Sequence, residues 1–262
     1  MAQASFIKKK SREKKKIYTR DEFEMLLKES ATNMTMDSKL ISDALNIKVK
    51  AGYEHYWVHQ TKWFGEPILN LPQDMFAIQE IIYRTRPKFF IEVGTAWGGG
   101  LLFYSSLMEI LGGNKVIGVD IFIPQDLKDR VSSHGSISER IKWIHGSSIE
   151  KNTIKKIKEI IGDSKEVMVF LDSNHTHDHV YKELKIFSEF IGKGHYLVCG
   201  DTVLEYQPAS DARPRPWGKG NNPQTALNQF MDENDRFVID NEISDKLLFT
   251  CNPGGYLRAI KD

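Results

Sequence analysis

From Lys88 onward the chain alternates short apolar runs with amphipathic stretches, and no other feature restricts its fold as much. "KFFIEVG", "KVIGVD", "RIKWIHG", "EVMVFLD" and "HYLVCGD" read as strands. "GGLLFYSSLMEILGG", "TIKKIKEIIG" and "HDHVYKELKIFSEFIGKG" read as helices between them. Strands that are apolar along their whole length are buried on both faces, and helices of this length provide the crossovers of a parallel sheet. The ending differs. After a polar loop over 203–223 the pattern predicts a helix over 224–234 and a strand at "RFVID". "KLLFTCNPGGYLRAI" then reads as two strands joined through the turn signal "NPGG".

The part before Lys88 is less regular. "TRDEFEMLLKES" places Thr19 three residues before Glu22, a capping-box pattern that predicts a helix. Residues 46–71 are aromatic-rich without a clear period and are expected to pack over something. "PQDMFAIQEIIYRTRP" reads as a helix from Pro72 that stops near Pro87. The expected organisation is a basic tail (1–18), a helical extension serving as a substrate-side cap (19–87) and an α/β domain (88–262). The net charge of +1 hides an asymmetry, since residues 1–20 carry +7 and the remainder −6. Such a tail can contact anionic surfaces, or simply remain solvated. No apolar run is long enough to span a membrane, no apolar stretch follows the basic start as in a secretory signal, and the two cysteines make no disulfide framework. A cytoplasmic protein with reduced thiols is expected.

"FFIEVGTAWGGG" (residues 89–100) combines a strand, a glycine loop and a helix start, the arrangement that lets backbone approach a nucleotide. It is not the dinucleotide fingerprint G-x-G-x-x-G. Glu92 precedes the turn, where it suits the amine of S-adenosylmethionine better than a pyrophosphate. Asp120 ends the second strand, the place of a ribose-binding carboxylate. "HGSS" (145–148) ends the third, near an adenine edge. The candidate cofactor contacts are Glu92, Gly94, Thr95, Trp97, Gly98, Gly99, Asp120, Ser147, Ser148 and Asp172.

"WFGEPILNLPQD", "IEVGTAWGGGLLFYSSL", "GVDI", "GSS", "LDSNHTHDHV", "GDT" and "RPWGKGNNPQTAL" occur in this order. Over residues 50–262 the chain thereby resembles the cephalosporin hydroxylase / rhamnosyl O-methyltransferase family. The resemblance implies a Rossmann-like class I methyltransferase fold: a mostly parallel seven-stranded sheet with a C-terminal antiparallel strand. It also implies an S-adenosylmethionine-dependent O-methyltransferase acting on a hydroxyl of a sugar, glycan or glycosylated natural product. Some members bind Mg2+ through an aspartate after the fourth strand and an acidic pair after the fifth. Those positions are Asp172 and Gly200-Asp201 here, so the first acid of the pair is missing. The candidate metal ligands are Asp172 and Asp201, and His175, three residues after Asp172, matches the general base of related macrolide-sugar enzymes. No 2-His-1-carboxylate set stands apart from these motifs, which argues against iron chemistry.

"FLDSNHTHDHVYKE" (170–183) gains its meaning from this frame. Asp172 and Asp201 close successive strands at one sheet edge, and paired carboxylates there call for a cation, Mg2+ or Ca2+ rather than Zn2+. His175 and Asp172 are the candidate catalytic residues. His179, Trp63, Arg213, Arg215 and Trp217 are candidate acceptor contacts, while His177 suits a polar first helical turn. The loop over 205–222, rich in proline and glycine, is placed to act as a lid. A homo-oligomer is expected. The rival readings are an NAD-type oxidoreductase, a non-catalytic nucleoside-binding protein on the same fold, and a nucleic-acid methyltransferase suggested by the tail alone.

Overall fold

The computed structural model describes residues 17–207 and 214–262. The basic segment 1–16 and Arg213 lie outside the described residues. Two helices come first, α1 (Arg20–Met36) and α2 (Ser38–His55). The Thr19–Glu22 capping box is formed at the start of α1. The expected aperiodic stretch beginning at residue 46 is in part the second half of α2. It continues in a hairpin of β1 (Thr61–Trp63) and β2 (Glu66–Ile68), turned by Phe64 and Gly65, both with positive φ. Then follow α3 (Pro72–Thr85), β3 (Phe89–Val93), α4 (Gly99–Leu111), β4 (Lys115–Asp120), α5 (Gln125–Ser132), β5 (Ile141–His145) and α6 (Lys151–Ile161). The chain closes with β6 (Val167–Leu171), α7 (His177–Ser188), β7 (Tyr196–Cys199), α8 (Pro223–Glu233), β8 (Phe237–Ile239), α9 (Asn241–Ser244) and β9 (Tyr256–Ala259).

The main sheet has seven strands in the order β5-β4-β3-β6-β7-β9-β8. Strands β3 to β7 pair in parallel, and β9 runs antiparallel between β7 and β8. This is the expected α/β architecture. One expectation fails: Lys246–Thr250 is not a strand. Both edges of β9 are already taken, by β7 and β8, so the preceding segment has no ladder to join.

Side chains alternate between the sheet faces with the two-residue period of a strand. Phe89, Ile91, Val93, Val169 and Leu171 face one core layer with Leu184 and Phe187 of α7 and Phe230 of α8. Phe90, Met168 and Phe170 face the other, with Ile78 and Ile81 of α3 and Leu101 and Tyr104 of α4. Glu92 and Asp172 share the parity of Phe90 and Phe170, which sends both carboxylates toward the α4 side.

The C-terminal segment is tied to α3 by a buried acid. Asp74 is fully buried and accepts from the Tyr256 hydroxyl at 2.7 Å, the Cys251 backbone N–H at 2.8 Å and the Thr250 hydroxyl. Burial holds its pKa above the usual carboxylate range in spite of these donors. Tyr256→Phe removes one donor from a buried carboxylate and is expected to cost about 1–3 kcal/mol, read from the urea denaturation midpoint. An unchanged midpoint would remove this network from the account of how the C-terminal strands are anchored.

Candidate active site

Every parallel strand of the sheet delivers its following loop to one edge. The hydrogen-bond ladder runs one step past the strand ends. Gly146 N–H donates to Asp120 O (2.9 Å), Gly94 to Val119 O (2.8 Å), Asp172 to Val93 O (2.8 Å) and Gly200 to Leu171 O (2.8 Å). Two of these positions leave no room for a side chain. A Cβ on Gly94 would lie 2.1 Å from the Asp172 carbonyl oxygen, and one on Gly200 would lie 2.6 Å from that of Leu171. The missing acid at position 200 is therefore a matter of space as well as of sequence.

A cavity of about 830 Å3 opens above this edge. Of the expected cofactor contacts, Gly94, Asp120, Ser147, Ser148 and Asp172 line it. A small cavity of about 30 Å3 adjoins it, lined by Glu92, Gly94, Thr95, Trp97 and Asp172 among others. Leu69, Gly94, Ala96 and Asp172 border both spaces. Gly98 and Gly99 line neither. Gly98 packs against Val131 and Leu127 of α5, and Gly99 against the Pro67 carbonyl of the hairpin.

Asp120 holds the glycine loop. Its Oδ2 accepts from Thr95 N at 2.8 Å and its Oδ1 from Phe122 N at 2.9 Å. Glu92 is buried with Oε2 unpartnered, while Tyr104 bonds its carboxylate and Gly100 gives it space. Burial first, then the charges of Asp172 and Asp120, raise the Glu92 pKa well above the usual range. A cationic group entering beside it would meet a carboxylate poised to ionise.

Asp172, His175 and Asp201 each offer a donor atom, and these atoms lie within 4.8 Å of one another. His175 Nε2 is 3.6 Å from Asp201 Oδ2, beyond hydrogen-bond length. The His175 ring meets Trp217 edge-on with centroids 4.9 Å apart, and the Arg215 guanidinium sits 5.1 Å from the Trp217 ring. The Asp172 carboxyl is raised well above its ordinary pKa by burial and by the Asp201 charge. Two half-buried acids with an imidazole beside them fit a divalent ion, whose charge would relieve that repulsion.

The neighbouring histidines separate in role. His179 lines the cavity, with Nε2 3.1 Å from the Ser148 hydroxyl and 3.2 Å from Glu183 Oε1. His177 is engaged on α8, touching Thr225 and Gln229 at 2.9 Å each. Glu183, missed in the sequence, is fully buried and gathers Ser148, Ser173 and His179. Its spacing of four from His179 on a helix was the available signal.

Trp63 does not reach the cavity: its ring packs edge-on against Phe103 of α4 at 5.0 Å, as part of the hydrophobic hairpin cap. Arg215 and Trp217 do line it. The loop that carries them is tied at both ends by Glu205, whose Oε2 accepts from Gly220 N at 2.9 Å and from the Asn222 amide. The middle of the loop, 208–213, lies outside the described residues.

A family profile described as Rhamnosyl O-methyltransferase/CmcI matches residues 55–260. Rhamnosyl O-methyltransferase of Mycobacterium bovis (strain BCG / Pasteur 1173P2) is 26% identical over 219 residues, covering 78% of this chain and 82% of its own. Its namesake in Mycobacterium leprae (strain TN) is 28% identical over 158 residues, covering 60% and 66%. Among solved structures, apo CmcI superposes with a TM-score of 0.53 at 18% identity over 77% of both chains. A CmcI form with Mg and SAM gives 0.52 at 18% identity over 76% of both. The likeness to these structures is one of fold.

The close approach at Gly200 makes a direct prediction. Gly200→Asp is expected to destabilise the fold by about 1–3 kcal/mol through overpacking against the Leu171 carbonyl, measured by chemical denaturation. A variant as stable as the parent would show that the strand edge has room for the missing carboxylate.

Proposed function

The chain belongs to the Rhamnosyl O-methyltransferase/CmcI family, and from that premise we propose that it is an S-adenosylmethionine-dependent O-methyltransferase acting on a hydroxyl of a sugar or glycosylated compound. One observation carries the reading. A single cavity joins Asp120 at the end of β4, the glycine loop after β3 and the Asp172–His175–Asp201 cluster after β6 and β7. The glycine loop lacks the dinucleotide fingerprint G-x-G-x-x-G, and Glu92 with its unpartnered Oε2 suits an amine better than a pyrophosphate, which disfavours an oxidoreductase.

When bound, S-adenosylmethionine supplies an activated methyl group, and a divalent ion such as Mg2+ stabilises negative charge on the acceptor oxygen. Asp120 takes the ribose hydroxyls, and Ser147 lines the adenine side. Glu92, with its unpartnered Oε2, takes the amine of the methionine end. Asp172 and Asp201 hold the ion from adjacent strand ends. His175 removes the acceptor's proton. Its edge-on contact with Trp217 supports this, because it puts the imidazole beside an aromatic face suited to a sugar ring. Trp217 and Arg215 position the acceptor, and most of the rate then comes from alignment of oxygen, methyl carbon and sulfur.

Calorimetry with S-adenosylmethionine and its demethylated product tests the reading, and absence of binding by both would sink it. Asp120→Ala is expected to weaken binding roughly ten- to a hundredfold, the equivalent of about 1.5–3 kcal/mol for a charge-assisted hydrogen bond.

Protons report on Glu92 separately. An amine favours the ionised carboxylate, so binding releases a proton below the raised Glu92 pKa, and affinity increases as pH rises through it. Titrations in two buffers of different ionisation heat should give different apparent enthalpies. Identical enthalpies would take Glu92 out of the cofactor site.

For the chemical step, His175→Ala is expected to lower kcat by about 10²–10⁴ with little change in cofactor affinity. Asp172→Asn and Asp201→Asn should instead raise the metal concentration required. Full turnover in excess chelator would remove the ion from the mechanism.

A further inference from the structure

Lys48 is the residue that the mechanism above leaves unused. It lies on α2, before the segment matched by the family profile, and yet it lines the central cavity together with Tyr53. Only 2% of it is exposed. Its ammonium makes no hydrogen bond and no ion pair among the described residues. Its charge acts on Asp74 and Cys251, but no carboxylate among the described residues stands within the 4.0 Å that defines an ion pair. Asp74 itself is already served by Thr250, Cys251 and Tyr256.

A side chain buried along its length that ends at a cavity with no hydrogen-bond or ion-pair partner among the described residues is placed to meet an anion that enters there. The floor of this cavity is acidic, with Asp120, Asp172 and Asp201 on its lining, and it offers an anion nothing. Among the described residues, the lysine and arginine side chains lining it are Lys48 from α2 and, from the loop before α8, the exposed Arg215 beside Trp217. The acceptor must place a hydroxyl at His175 while its remainder extends over the lining contributed by α2 and that loop.

We propose that Lys48 is a specificity-determining residue that binds an anionic substituent, a carboxylate or phosphate, on the acceptor sugar. The inference rests on the methyltransferase reading and narrows its substrate class to acidic sugars. It also gives α2 a purpose: an element outside the family's common segment supplies the group that chooses the acceptor.

The test uses the full chain saturated with the demethylated cofactor and Mg2+. Binding of glucuronate, glucose 1-phosphate and neutral rhamnose is measured by calorimetry or by ligand-observed NMR. The wild-type protein should bind at least one anionic probe roughly tenfold or more tightly than rhamnose, the scale of one charge-assisted contact. Which of the two it prefers distinguishes a uronate from a sugar phosphate. Lys48→Met should abolish the preference with cofactor affinity unchanged, and Lys48→Arg should retain most of it. A role confined to balancing Asp74 would lower thermal stability in Lys48→Met and leave the preference intact, which overturns the proposal. Equal binding of all three probes to the wild type, or binding of none, also overturns it. Failure of the demethylated cofactor to bind the wild type would instead bring down the methyltransferase reading.

Discussion

The continuation of the β-ladder past the strand ends is the constraint on which the rest of the site depends. Four backbone bonds, from Gly146, Gly94, Asp172 and Gly200, hold successive loops in register after the strands have finished. Backbone bonds of this kind leave little rotational freedom, so the side chains that follow start from fixed points. Asp120 and Asp172 lie at one level of the ladder, where Gly200 stands on the β7 side and Asp201 follows one residue later, so the separation of Asp172 from Asp201 follows from β6 and β7 being neighbours. The close approach of Gly94 to Asp172 then seals the glycine loop against the metal cluster. The glycine loop and the Asp172–His175–Asp201 cluster are thus parts of one sheet edge.

The same edge collects acids at a density that an apo fold tolerates only by local compensation. Glu183 is compensated by three donors, Asp74 by three others, and Asp120 by two backbone N–H groups and the Thr95 hydroxyl. Asp172 and Glu92 are not compensated to that degree, and both carry pKa values raised by burial and by neighbouring negative charge. Glu92 and Asp172 face the proposed cations, the amine of the cofactor and the metal ion, while Glu183 also keeps one buried oxygen, Oε2, without a partner. Lys48 presents the opposite case, a buried cation short of an anion in the same cavity. The pattern of unmatched charges thus outlines a ligand set that is cationic at the sheet edge and anionic toward α2.

Much of this was legible because the physics acts locally. Strands buried on both faces read as unbroken apolar runs, and Glu92, Asp120 and Asp172 are each within one step of the end of such a run, with Asp201 two steps past its own. What escaped depends on tertiary context. Helix α2 buries only Ala44 and Lys48, so its sequence shows no strong apolar stripe. Glu183 looks like any exposed helix acid until the Ser148 and Ser173 loops close over it. Gly98 and Gly99 resemble a ligand cradle in sequence, but α5 and the hairpin occupy the space beside them. Trp63 resembles a sugar platform, but the β1–β2 hairpin turns it onto Phe103. The apolar run "KLLFT" would suit a strand, but β9 had no free edge to offer it.

The central claim is that cofactor and ion share one cavity, with the methionine end of the cofactor toward Asp172. Paramagnetic Mn2+ in place of Mg2+ tests it directly, because it broadens the NMR signals of nearby protons steeply with distance. The chain is titrated with the demethylated cofactor in excess, and Mn2+ is added in substoichiometric amounts. The account predicts that the protons flanking the sulfur broaden well before those of the adenine ring, and that Asp172→Asn weakens the effect. Uniform broadening, or none at Mn2+ concentrations that saturate the protein, would contradict a shared site.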